Sequence, residues 1–197
     1  IANIWKKIGD RYRQWGRFTE SEEHYQEAKK QYILLGRMTD VAEVLLCQGL
    51  NEQARGDYMQ AASWLISSRA LFALQERPLD EARLLNQLGT NYRLWGNFDK
   101  AAAHYTEART RYEQLDRPAD VANVLLGLGL SERARGNYAL AVDWLTQSRD
   151  CYTQLNRPLD VANLWNYLGN TYRLWGNFDK AATHYAEART RYEQLDR

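Results

Sequence analysis

The residues able to do chemistry are few and evenly spread. Histidine occurs only at His24, His104 and His184, at equal intervals along the chain. Helices pack about 8–10 Å apart, so residues several helices apart are separated by roughly tens of ångströms. The three cannot share a metal ion. Trp64 and Trp144 fill the same column in between, which marks it as structural. Cys47 and Cys151 lie too far apart in sequence to suggest a disulfide, and they favour a reduced, cytoplasmic setting. No Cys/His spacing matches a zinc site, and no phosphate loop or nucleophile elbow is present. No carboxylate pair stands out from solvated helix faces. The sequence therefore points away from an enzyme, with no catalytic, metal or cofactor-binding residue and no cofactor.

What positions these residues is a repeat. Gly9, Gly49, Gly89, Gly129 and Gly169 recur at one fixed interval, and Gly16, Gly56, Gly96, Gly136 and Gly176 recur at the same interval. A fixed period of this size indicates a solenoid, in which each unit buries its apolar face against its neighbours. Five units follow: 1–37, 38–77, 78–117, 118–157 and 158–197, read as one continuous domain. In 78–117, Pro78 opens a helix, and Ala82, Leu85, Leu88, Gly89 and Tyr92 recur at helical spacing over 80–95. Gly96 supplies a left-handed turn, and Asn97 is placed to cap the next helix, as are Asp57, Asn137 and Asn177. Ala101, Tyr105, Ala108, Tyr112 and Leu115 give a second apolar stripe. Each unit is two antiparallel helices, and no strand is expected. Glycine within a helix costs about 1 kcal/mol relative to alanine. Five in one column are best explained by close approach of the partner helix. Trp15, Trp95 and Trp175, just before the turn, are expected to pack, with at most an exposed edge.

The pattern Trp165, Leu168, Gly169, Tyr172, Gly176, Phe178, Ala181, Tyr185, Ala188 resembles the tetratricopeptide repeat, in a 40-residue subclass with Leu-Gly-Asn motifs (here Leu168-Gly169-Asn170). The resemblance covers essentially the whole chain. It implies an all-α, right-handed superhelical solenoid whose first helices line a concave groove that binds peptides or protein segments. Units 38–77 and 118–157 depart from the pattern. They carry Glu52 and Glu132 in place of tyrosine, and Arg55 and Arg135 in place of tryptophan. The true period is thus a pair of units, and each of these Glu/Arg couples is spaced to pair.

By that resemblance the groove residues are Arg13 on the first unit; Asn86 and Arg93 on the third; Asn123, Leu126, Leu130 and Arg133 on the fourth; and Asn163, Asn166, Tyr167, Asn170 and Arg173 on the fifth. The column of Lys7, Cys47, Gln87, Gly127 and Tyr167 also faces it. Asparagine amides would bind a peptide backbone through donor and acceptor alike, and arginines would attract acidic side chains. Leu46, Leu50, Leu126 and Leu130 break the carboxylate-clamp pattern of some family members. The expected partner is therefore a protein or extended peptide segment, acidic in character. The alternatives are a structural or self-assembling segment, or the sensor part of a larger bacterial signalling ATPase.

Units 78–117 and 158–197 differ only at Glu81/Val161, Arg83/Asn163, Leu85/Trp165, Gln87/Tyr167, Thr90/Asn170, Asn91/Thr171, Ala103/Thr183 and Thr106/Ala186. Six of these eight lie on the first helix, as expected of a diversifying recognition surface. A net charge of +1 argues against general nucleic-acid binding or a basic membrane surface. No apolar run reaches membrane-spanning length, and no signal-peptide pattern is present. Tyr185, Ala188, Tyr192 and Leu195 form an apolar stripe at one end. It suggests a piece of a longer array and, if bare, end-to-end self-association.

Overall fold

The computed structural model describes residues 1–195, and among these every regular element is an α-helix. The chain divides into two compact units. Residues 1–97 carry α1 (Ala2–Gln14), α2 (Phe18–Leu34), α3 (Met38–Arg55), α4 (Tyr58–Leu74) and α5 (Pro78–Leu94). The part from Phe98 onward carries α6 (Phe98–Gln114), α7 (Pro118–Arg135), α8 (Tyr138–Gln154), α9 (Pro158–Leu174) and α10 (Phe178–Leu195). Within each unit every helix packs on the next one in sequence, and α1 also touches α3. Pro78, Pro118 and Pro158 each begin a helix, where a missing N–H costs nothing.

The two kinds of turn are built differently. After each first helix a glycine takes the left-handed conformation, as at Gly96 with φ 82°. After the second helices the same conformation is held by Gly36 and then by Glu76, Asp116 and Asn156 (φ 51–53°), a feature the glycine pattern concealed. Capping follows expectation at Asp57, whose side chain accepts from Gln60 N at 3.0 Å, and at Asn177, which accepts from Lys180 N. It fails at Asn137, whose amide turns back to donate to Glu132 Oε2 at 2.7 Å. Glu52 and Arg55 pair as expected, at 3.1 Å. Glu132 and Arg135 do not, because Arg135 reaches Asp99 of α6 at 2.6 Å.

The mid-helix glycines do admit a partner helix. A Cβ on Gly49 would lie 2.9 Å from Leu65, one on Gly129 2.8 Å from Leu145, and one on Gly169 2.8 Å from Tyr185. The histidine column is partly buried and packs against aromatic rings. His24 stacks on Trp5 (5.3 Å) and Tyr12 (5.1 Å), and His184 lies against Trp165 and Tyr172. Among the described residues no cluster of metal-ligating side chains forms, and no helix is long and apolar enough to cross a membrane. The tryptophans before the turns are more open than expected. Trp15 is 67% exposed, and Trp95 and Trp175 remain nearly half exposed, each lying against the tyrosine one turn earlier. The end stripe is narrower than its pattern suggested. Ala188 is buried, and Tyr185 and Tyr192 bond to α9, leaving Leu195 as its exposed member.

Candidate functional site

In unit one the proposed binding stripe runs along α1, α3 and α5. Arg13 is half-buried, and its Nε donates to the Tyr25 hydroxyl at 3.3 Å. That hydroxyl donates to Asp10 at 2.8 Å. Lys6 of α1 and Glu43 of α3 form an ion pair at 3.1 Å. Between them Cys47 is buried, and burial first, then Asp10, pushes its thiol up to about 11 against the opposing pull of Lys6 and Arg13. On α5, Asn86 and Arg93 are half-buried, and the Arg93 Nε is enclosed without an acceptor. Gln87 donates to Gln53, which donates to Asn91, so three amides link α3 to α5.

In unit two the stripe runs along α7 and α9. The spacing of Asn123, Leu126, Leu130 and Arg133 places them on one face of α7, and Asn163, Asn166, Asn170 and Arg173 share one face of α9. Leu126 and Leu130 are half-buried. Arg133 lies over the Tyr167 ring at 5.9 Å, and Arg173 is exposed. Gly127 does not open onto the stripe, because the Tyr105 ring of α6 covers it.

The asparagines also bond within the fold. Asn123 Oδ1 accepts from Tyr152 and Asn163 Oδ1 from Tyr192, each at 2.7 Å. Asn170 Oδ1 accepts from Tyr185, and its amide donates to Asn166. Each of these oxygens thus accepts one bond from a second-helix tyrosine and keeps a second acceptor site, and the side-chain amides of Asn123 and Asn163 remain as donors.

The second-helix tyrosines were the functional neighbours missed in the sequence. Their signal was the column that holds Tyr25 and Tyr185, set beside Asp10 and Asn170, with Leu65 and Leu145 in the same column set beside Leu50 and Leu130. Tyr25 donates to Asp10 and Tyr185 to Asn170, so a hydroxyl that reaches the stripe meets a polar residue there.

The sequence profile of the tetratricopeptide repeat matches residues 40–114 and 120–194. The chain belongs to the tetratricopeptide repeat family. Among curated proteins no sequence matches it. Solved structures share its fold at low identity. BtubC from P. vanneervenii is 20% identical with TM-score 0.82, over 96% of this chain and 78% of that one. Aspartyl phosphate phosphatase F from Bacillus subtilis is 11% identical with TM-score 0.90, over 99% of this chain and 51% of that one. The Rap conjugation gene regulator of plasmid pLS20, in complex with the Phr* peptide, is 16% identical with TM-score 0.77, over 99% and 54%. This tetratricopeptide repeat chain thus spans about half the length of the last two. At these identities the likeness carries the fold alone.

Proposed function

We propose that the chain binds an extended protein segment bearing acidic side chains, and that the α7–α9 face of unit two is its principal seat. One observation carries this reading. That face carries Arg133, Arg173 and the side-chain amides of Asn123 and Asn163, with no acidic residue among its stripe positions. Leu126 and Leu130 supply an apolar shelf beside these donors. Donors suit carboxylates and backbone carbonyls, and the shelf suits an aliphatic side chain. Arg13, Asn86 and Arg93 extend the same chemistry in unit one. The peptide-bound conjugation regulator supports the reading, since its fold is the same.

The test uses fluorescein-labelled extended peptides of equal length, one rich in Glu and Leu, one in Lys and Leu. The wild-type chain should bind the acidic peptide, with affinity falling as salt rises. Arg93→Ala/Arg133→Ala/Arg173→Ala should weaken that binding and flatten its salt dependence while leaving helicity intact. A triple variant that loses stability yet binds as before would show that the arginines serve the fold, and the assignment would fall.

A further inference from the structure

Each unit contains two seams at which a second helix meets the first helix of the next repeat: α2–α3 and α4–α5, then α6–α7 and α8–α9. Three share an apolar pattern at two equivalent positions, which hold Ala62 and Leu88, Ala102 and Leu128, and Val142 and Leu168. The α2–α3 seam has Glu22 and Gln48 there instead. Gln48 is fully buried, and its Nε2 donates to Glu22 Oε1 at 2.5 Å. Gln26 donates to the same oxygen at 2.6 Å. One turn along α3, buried Asn51 donates to the Phe18 carbonyl at 3.0 Å. Glu22 Oε2, Gln48 Oε1 and Asn51 Oδ1 are enclosed without a donor. At the equivalent of Asn51 in the next seam, Asn91 Oδ1 accepts from Gln53. The equivalent of Gln53 in α1 is Arg13, which is committed to Tyr25. A seam this incompletely bonded is costly to stability.

Shape alone does not tell these seams apart. Tyr105 of α6 requires a small residue on α7 and finds Gly127; Tyr25 of α2, in the same column, is followed by Cys47 on α3. The even seams reverse the sizes, with Leu65 before Gln87 and Leu145 before Tyr167. This size alternation excludes pairing of α2 with α5 or α9. It leaves α2 free to accept α7, and α6 free to accept α3, because Cys47 and Gly127 are both small. The polar pair removes that freedom. On α7, Glu22 would meet Leu128; on α6, Gln48 would meet Ala102. Either mispairing breaks the Glu22–Gln48 bond and sets its polar group against an apolar side chain.

We infer that Glu22 and Gln48 form a register lock: they select α3 as the partner of α2 against the size-compatible seam two repeats further on, at some expense of stability. The lock keeps the α1–α2 hairpin from docking on α7, whether of its own chain or of another copy.

The test is refolding of the intact chain from denaturant over a range of concentrations, read by size-exclusion chromatography with light scattering. Glu22→Ala/Gln48→Leu installs the residues of the α6–α7 seam. It should keep full helicity and resist urea at least as well as wild type, yet yield a several-fold larger fraction of misregistered dimers and misfolded monomer. Adding Ala102→Glu/Leu128→Gln moves the polar pair to the other seam and should restore wild-type refolding, which a stability effect would not do. The inference is overturned if the first variant refolds as cleanly as wild type, if it loses helicity, or if moving the pair fails to restore fidelity.

Discussion

The Tyr105 ring lies where a side chain on Gly127 would begin: a Cβ there would come within 2.6 Å of the ring's Cζ. The contact joins α6 to α7 and converts a stripe position into core. The two-repeat period is written into such contacts, since the next seam reverses the sizes with Leu145 and Tyr167. Gly127→Tyr should therefore overpack this seam and lower stability by about 1–3 kcal/mol. Tyr105→Leu added to it copies the α8–α9 arrangement and should recover at least half of the loss. Urea denaturation of the three chains decides the matter. A Gly127→Tyr variant as stable as wild type, or a double variant worse than the single, would count against the size-alternation account.

A second expectation concerns alkaline pH. Burial moves the Cys47 thiol from 9.0 to about 11, and the Tyr152 hydroxyl to about 12, in each case by favouring the neutral form. Both pKa values are raised in the folded chain. The associated stability is therefore whole below the unfolded values and is lost as pH rises through the folded ones. For Cys47 a rise of this size corresponds to about 2–3 kcal/mol, lost between pH 9 and 11. Urea midpoints at pH 8 and pH 11 should differ more for wild type than for Cys47→Ala. Equal differences would mean that the thiol ionises without opening the fold.

Helix number, turn positions and the buried glycine column were all legible in the sequence, because they depend on periodicity and on residues with one dominant conformational reason. What was not legible depended on competition between neighbours. Asn137 matches Asp57 by position, but a nearby Glu132 captures its amide. Arg135 matches Arg55, but Asp99 lies within its reach. Among the stripe residues, the spacing placed Asn123, Asn163 and Asn170 on the intended helix faces. It could not show that tyrosines from the second helices take up their carbonyl oxygens. Those contacts join one helix to another, beyond the reach of a pattern read along a single helix.

The capping difference gives a third prediction. Asp57→Ala removes the acceptor of Gln60 N and should cost about 1 kcal/mol of stability. Asn137→Ala removes no cap bond, and its cost should come from leaving half-paired Glu132, which is 9% exposed. Adding Glu132→Gln should therefore reduce the effect of Asn137→Ala, since a neutral amide is less costly to leave unpaired than a carboxylate. Melting temperatures of the single and double variants test this. An undiminished Asn137→Ala effect in the Glu132→Gln background would show that the asparagine works through α8 itself.

The arginine column separates fold from binding. Arg13 is tied to Tyr25 and through it to Asp10, so it belongs to a bonded network in α1 and α2. Arg173, at the equivalent position on α9, is exposed. Arg13→Ala should lower stability by about 1 kcal/mol, the ordinary worth of one such bond. Arg173→Ala should leave the melting temperature unchanged. For a bound acidic peptide the order reverses: Arg173→Ala should slow association and weaken its salt dependence, because an exposed charge acts mainly on encounter, while Arg13→Ala should change the association rate little. Stopped-flow measurements at two salt concentrations, set beside thermal melts, separate the two roles. An Arg173→Ala chain that melts lower yet associates normally would place this arginine with Arg13 in the fold and remove it from the binding face.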